Sequence, residues 1–203
     1  MILQETGKLK VLLQSDGQYT LPIHSDISGN ELSIESSDIF AAIVACGSLP
    51  NDLIPRILYN KVDEIRLKRT AIDLALRAEK GFVAWDIEKI KLLDPSEEAF
   101  ISYVVGMVFT TIIARKLYGI EILSHFKKFV RETHCKAYKQ NGTVVSTHKE
   151  PDIVGLKYNG TDIDFSLFEA KGGERKSIRA YNKAVSEQLP VVNTLLSKNV
   201  DNR

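Results

Sequence analysis

Glu150-Pro151-Asp152-Ile153-Val154-Gly155-Leu156-Lys157-Tyr158, Asn159-Gly160-Thr161-Asp162, then Ile163-Asp164-Phe165-Ser166-Leu167-Phe168-Glu169-Ala170-Lys171-Gly172-Gly173 is the stretch on which the fold of this chain turns. Two apolar runs flank an Asn-Gly pair, a strong short-range signal for an antiparallel hairpin. The runs predict strands over Ile153–Tyr158 and Ile163–Ala170. With a four-residue loop from Asn159 to Asp162, Tyr158 faces Ile163. Counting back in antiparallel register then sets Asp152 opposite Glu169. Directly opposed side chains lie ~4.5–5.5 Å apart at Cβ.

Two carboxylates held side by side repel each other unless they share a proton or a cation. A hard, oxygen-seeking cation such as Mg²⁺, or Mn²⁺ in its place, removes that cost. Lys171 lies two residues beyond Glu169 and therefore projects from the same strand face. Two metal ligands and one amine are the equipment for phosphodiester hydrolysis: the cation clamps the phosphate and activates a water, and the Lys orients that water or offsets developing charge. The competing reading makes Asp152 a turn residue after Pro151, and Glu169 with Lys171 an ion pair on an exposed edge strand, which would contribute little. Phe165, Leu167 and Phe168 place apolar side chains on both faces and argue against an exposed strand.

The spacing Pro151-Asp152, sixteen residues, Glu169-Ala170-Lys171 resembles the PD-(D/E)xK nuclease superfamily of restriction-endonuclease-like folds. That resemblance implies that Asp152, Glu169 and the backbone carbonyl of Ala170 bind the divalent metal and that Lys171 is catalytic. It also implies a helical Gln facing the site, for which Gln188 in Ser186-Glu187-Gln188-Leu189 is the candidate. A further metal-binding Glu is expected early in the helix before the first strand. Glu97 or Glu98 fits, and Glu97 shares a helix line with Ile101, Val104 and Val108. The resemblance covers residues 94–190 and implies an α/β (α+β) fold with an αβββαβ core and a mixed central sheet. One departure stands out: only Val191-Val192-Asn193-Thr194-Leu195-Leu196 remains to supply the last strand.

Outward from this segment, Asp94-Pro95-Ser96-Glu97 is a strong helix start, with a capping residue, Pro in the first turn and acids at the positive end of the dipole. The helix should run to Tyr118 and stop at Gly119, burying Ile101, Val104, Val105, Val108 and Ile112. Its apolar part, Ala99 to Ala114, is interrupted by Ser102, Gly106, Thr110 and Thr111. It falls short of the ~18–20 apolar residues of a membrane span and reads as a core helix. Residues 121–134 predict a basic helix carrying His125, Lys127, Lys128 and Arg131. A strand over Thr143–Thr147 and a helix over Lys176–Leu189 complete the C-terminal part.

In the N-terminal part, Leu9, Val11 and Leu13 alternate with polar residues as a strand does, Ser15-Asp16-Gly17 reads as a turn, and Tyr19–Ile23 as a short strand. Ser36-Ser37-Asp38 can cap a helix over Ile39–Cys46 that Gly47 ends. Pro50 and Pro55 flank a loop or short helix. Lys61–Lys80 has helical spacing with Gly81 as its stop, and Phe82–Trp85 follows as a strand. Two regions result: residues 1–90, an α+β region without visible chemistry, and residues 91–203, the nuclease-like domain.

Lys and Arg total 27 against 26 Asp and Glu, and the net charge of +1 is unevenly spread. Residues 1–126 hold 13 basic and 17 acidic side chains; residues 127–203 hold 14 and 9, giving −4 and +5. A basic C-terminal region suits a phosphate-rich partner, but on charge alone an ordinary solvated surface is the favoured reading. Cys46 and Cys135 are far apart and lack a CxxC spacing, which excludes a disulfide framework and a Cys-type zinc site. His24, His125, His134 and His148 show no HExxH or HxH spacing. The polar N-terminus lacks a signal peptide, and a reducing cytoplasm is the expected location. The resemblance implies a divalent-metal-dependent nuclease, acting on DNA more than RNA, in a defence, repair or mobile-element system. The alternatives are a non-cleaving nucleic-acid- or protein-binding subunit that keeps the fold, and a subunit whose N-terminal half docks on a targeting protein. A homodimer is compatible with all three.

Overall fold

The computed structural model of the chain describes residues 7–10, 27–28, 31–47, 62–79, 82–120, 122–138, 141–144, 150–160, 162–170 and 194–197. Its organising element is a long helix, α4 (Pro95–Tyr118), whose ends are set locally. Asp94 caps it, accepting from the Ser96 and Glu97 amides at 2.8 and 3.1 Å. Glu97 closes the capping box by accepting from the Asp94 amide at 3.1 Å. At the far end Gly119 takes a left-handed φ of 62°, which a residue without Cβ adopts at no steric cost.

Burial around α4 is two-sided. Ile101, Val104, Val105, Val108, Ile112 and Leu117 join one core cluster, and Met107 and Ala114 join another. A helix buried this widely is apolar most of the way round. By length and composition it would also suit a membrane span, beyond what the count of apolar residues implied, but here it is the core helix. Thr111, fully buried, returns its hydroxyl to the Met107 carbonyl at 2.9 Å.

On one side of α4 pack α1 (Ser36–Ala45) and α2 (Val62–Ala75). They cover a mixed sheet made of β1 (Gly7–Lys10), β2 (Ile27–Ser28), β3 (Glu31–Ile34), β4 (Leu76–Glu79) and β5 (Phe82–Trp85), in the order β2-β3-β1-β5-β4. Only the β1–β5 pairing is parallel. A short helix, α3 (Ile87–Ile90), leads into α4. The core cluster on this side runs from Leu32 through Ile90 to Leu117, so packing continues across the boundary drawn at residue 90.

On the other side lie β6 (Ile122–His125), α5 (Phe126–Glu132), β7 (Cys135–Tyr138), β8 (Ile153–Tyr158), β9 (Ile163–Phe168) and β10 (Thr194–Ser197). Strands β6, β8 and β9 form an antiparallel sheet with β8 in the middle, and β7 pairs antiparallel with β10. The chain is therefore a mixed α and β fold.

Several sequence expectations need correction. The cap of α1 is Glu35, and the helix already starts at Ser36, whereas Ser36–Asp38 were expected to precede it. The helix expected to reach Lys80 ends at Ala75, because Leu76–Glu79 pair with β5. The helix expected over 121–134 is a strand in its first part: Ile122–His125 pair with Leu156–Ile153. Strand β7 was not foreseen, and of the strand expected at Thr143–Thr147 the described residues hold only a bridge from Val144 to Tyr138. Strand β9 stops at Phe168, two residues short of the expected end, and its four last residues are half-buried. A strand does follow position 188, β10, but it pairs with β7 and not with β6, β8 or β9, and the described strand pairs on this side are all antiparallel, where a mixed central sheet was expected. Residues 11–26, the Pro50–Pro55 loop, Gly81 and the expected helix over Lys176–Leu189 lie outside the described residues.

Candidate active site

The hairpin register counted from the sequence holds over the whole ladder, from Tyr158↔Ile163 to Ile153↔Phe168. Asp152 and Glu169 are the next residues on the two strands. Asp152 is pinned from both sides. Its Oδ2 accepts the Ala170 amide at 2.9 Å, and its carbonyl accepts the Phe126 amide at 3.0 Å. The three segments that follow β6, precede β8 and follow β9 are thus tied at one residue. Gly155 allows this close assembly: a Cβ there would fall 2.8 Å from Ile120 Cγ2 and 3.0 Å from Phe168 Cε2. Glu169 is half-buried with its Oε2 shielded from solvent, and Ala170 is buried.

Asp152 and Pro151 border a cleft of about 440 Å³. Glu150 lines it as well; its carboxylate is 12% exposed and lies 3.8 Å from Lys127 Nζ. Opposite the acids, α5 contributes Lys127, Lys128 and Arg131. Positions 127 and 131 stand one helical turn apart, as do 128 and 131, so the three cations share a face. The third wall is aromatic. Tyr103 from α4 and His125 from the end of β6 lie nearly parallel, 5° between planes and 6.3 Å between centroids, with Tyr103 Oη 3.4 Å from His125 Nε2.

Gly47, which follows α1, seats the imidazole. It has φ +70°, and its missing side chain leaves the space that His125 Cδ2 and Nε2 occupy. Burial pushes the Tyr103 phenol up to about 12, with smaller contributions from nearby Cys46 and Asp152, so the hydroxyl stays protonated over the working pH range.

The structure thus brings Asp152, Glu169 and Ala170 together at one hairpin end and leaves Glu97 elsewhere. Glu97 is exposed, is used in the α4 capping box and does not line the cleft; Glu98 is exposed too. The line from Glu97 to Val108 was expected to face the core throughout, but burial starts only at Ile101. Lys171 and Gln188, like His24 and His148, lie outside the described residues. Among the described residues no group of three or more His, Cys, Asp and Glu is placed to hold a metal ion. The donor set is compatible with a hard cation nonetheless: two carboxylates and the Ala170 carbonyl offer only oxygen.

Sequence reasoning did not place Tyr103, His125, Glu150 or the α5 cations at Asp152. The charges of α5 were readable, but their position follows from the β6–β8 pairing. Comparisons with protein-family models, curated proteins and solved structures find no match to this chain.

Proposed function

We propose that the chain is a divalent-metal-dependent nuclease of the PD-(D/E)xK type, acting on nucleic acid, DNA in the first instance. The observation that carries the reading is the amide of Ala170 on Asp152 Oδ2, which sets the acid of the middle strand beside the Glu169-Ala170 end of its neighbour, at the mouth of a basic cleft. The order α4, β6, β8, β9 is that of the first four elements of an αβββαβ restriction-endonuclease-like core, with α5 and β7 inserted after its first strand; β10, paired with β7, lies outside the three-stranded sheet.

In this reading Asp152, Glu169 and the Ala170 carbonyl hold Mg²⁺ or Mn²⁺. Such a cation polarises the phosphate and lowers the pKa of an attacking water. Asp152 is oriented by its two backbone hydrogen bonds, so little reorganisation is needed on binding. Lys171, two residues beyond Glu169, would orient the water, and Gln188 would face the site from the following helix. The α5 cations neutralise the phosphates on either side. A protein partner supplying targeting fits the small net charge; a cytoplasmic role in defence, repair or mobile-element biology follows from the family resemblance.

The test is cleavage of plasmid and linear DNA in Mg²⁺ or Mn²⁺ by the wild type, Asp152→Ala and Lys171→Ala. Cleavage confined to the wild type supports the reading; equal cleavage by all three removes it. A second reading, a non-cleaving binding subunit on the same fold, is favoured by the engagement of Glu97 in its helix cap. Metal binding without cleavage of any substrate would decide for it.

A further inference from the structure

The cleft wall of Tyr103 and His125 has no role in the chemistry proposed above. Tyr103 is 47% exposed on a core helix, where a large aromatic side chain is ordinarily buried. Its ring lies near-parallel with His125, and the pair meets the cationic face of α5 within the same cleft. Three cations on one helix face repel one another. Glu150 lies 3.8 Å from Lys127 and Glu132 3.2 Å from Arg131, so the face stays basic while its acids sit at its edges.

An aromatic platform beside a basic track is the equipment for an unpaired nucleic-acid strand: bases stack on the rings and cations follow the backbone. Size points the same way. A cleft of about 440 Å³ accommodates a nucleotide and its phosphate, whereas the bases of a duplex are already stacked and paired and do not offer a face to a ring on its wall. We infer that the cleft between α4 and α5 binds a single strand, with one base on the Tyr103–His125 pair and the adjoining phosphates on Lys127, Lys128 and Arg131. The inference rests on the nuclease reading for its purpose, delivering an unpaired strand to Asp152. It rests on the cleft alone for its binding claim.

The test is fluorescence anisotropy without divalent metal, using a labelled oligothymidylate of about twelve nucleotides and a blunt duplex of equal length. The single strand should bind tighter than the duplex. Tyr103→Leu should weaken it roughly 5- to 150-fold, while Tyr103→Phe, which keeps the ring, should bind as the wild type does. Replacing Lys127, Lys128 and Arg131 by Ala should lower the slope of log affinity against log salt by about two. Duplex binding as tight as the single strand, or a Tyr103→Leu variant that binds normally, overturns the inference. A strand held but never cut would leave this inference standing and remove the nuclease reading alone.

Discussion

Gly47 links backbone conformation to the cleft, and Gly47→Ala tests that link. The residue sits at φ +70°, and a Cβ there would fall under 3.0 Å from His125 Cδ2 and Nε2. The left-handed conformation costs an Ala roughly 1–2 kcal/mol. Forcing the imidazole and its surroundings aside costs about 1–3 kcal/mol more. The stiffer unfolded chain returns about 0.4–1 kcal/mol. The net loss is therefore about 1–4.5 kcal/mol, or a melting temperature lower by about 2–18 °C for a chain of this length. Gly142 supplies the control, with φ +77° and no atom within 4 Å of the point a Cβ would occupy, so Gly142→Ala incurs the conformational cost alone. Thermal and urea unfolding of both variants isolate the ring contact as their difference. Equal stability of the two would refute the seating of His125 by Gly47.

Three further outcomes follow from the same contacts. Asp152→Ala leaves the half-buried Ala170 amide without its acceptor and should cost about 1–3 kcal/mol in urea unfolding, whereas Asp152→Asn keeps an acceptor oxygen and should cost less. Glu97→Gln should leave both stability and cleavage at wild-type values, and Glu97→Ala should lower only the melting temperature; lost cleavage in Glu97→Gln would return Glu97 to the metal site. The Ser96 hydroxyl and the Glu97 and Ser96 amides hold the Asp94 carboxyl below its usual 3.8, so its contribution to stability is complete above that value and fades as pH falls through the lower folded-state value. Asp94→Asn should accordingly flatten the acid limb of the melting-temperature profile below about pH 4.

Local chemistry was readable where it decides structure by itself. Asn159-Gly160 with flanking apolar runs sets a six-pair register, and Asp94-Pro95 with Gly119 bounds a 24-residue helix. What could not be read depends on distant partners. Ile122–His125 has helical neighbours and becomes a strand only because β8 offers it a ladder. Leu76–Glu79 leaves its helix for β5 in the same way. At the site, Asp152 and the Glu169-Ala170 segment share a hairpin, so their meeting was legible. Tyr103 reaches the cleft through the packing of α4, and Glu97, expected as a ligand from its spacing on the core stripe, has its carboxylate engaged by the Asp94 amide, a contact that the stripe does not reveal.

The central claim is that Asp152, Glu169 and the Ala170 carbonyl share one cation. A crystal of the protein soaked in Mn²⁺, with data collected at the manganese edge, tests it most directly. The expected result is one anomalous peak within about 2.0–2.2 Å of oxygens from all three residues, absent in Asp152→Ala. A peak bound elsewhere, or an ordered hairpin end with no peak at saturating Mn²⁺, would contradict it.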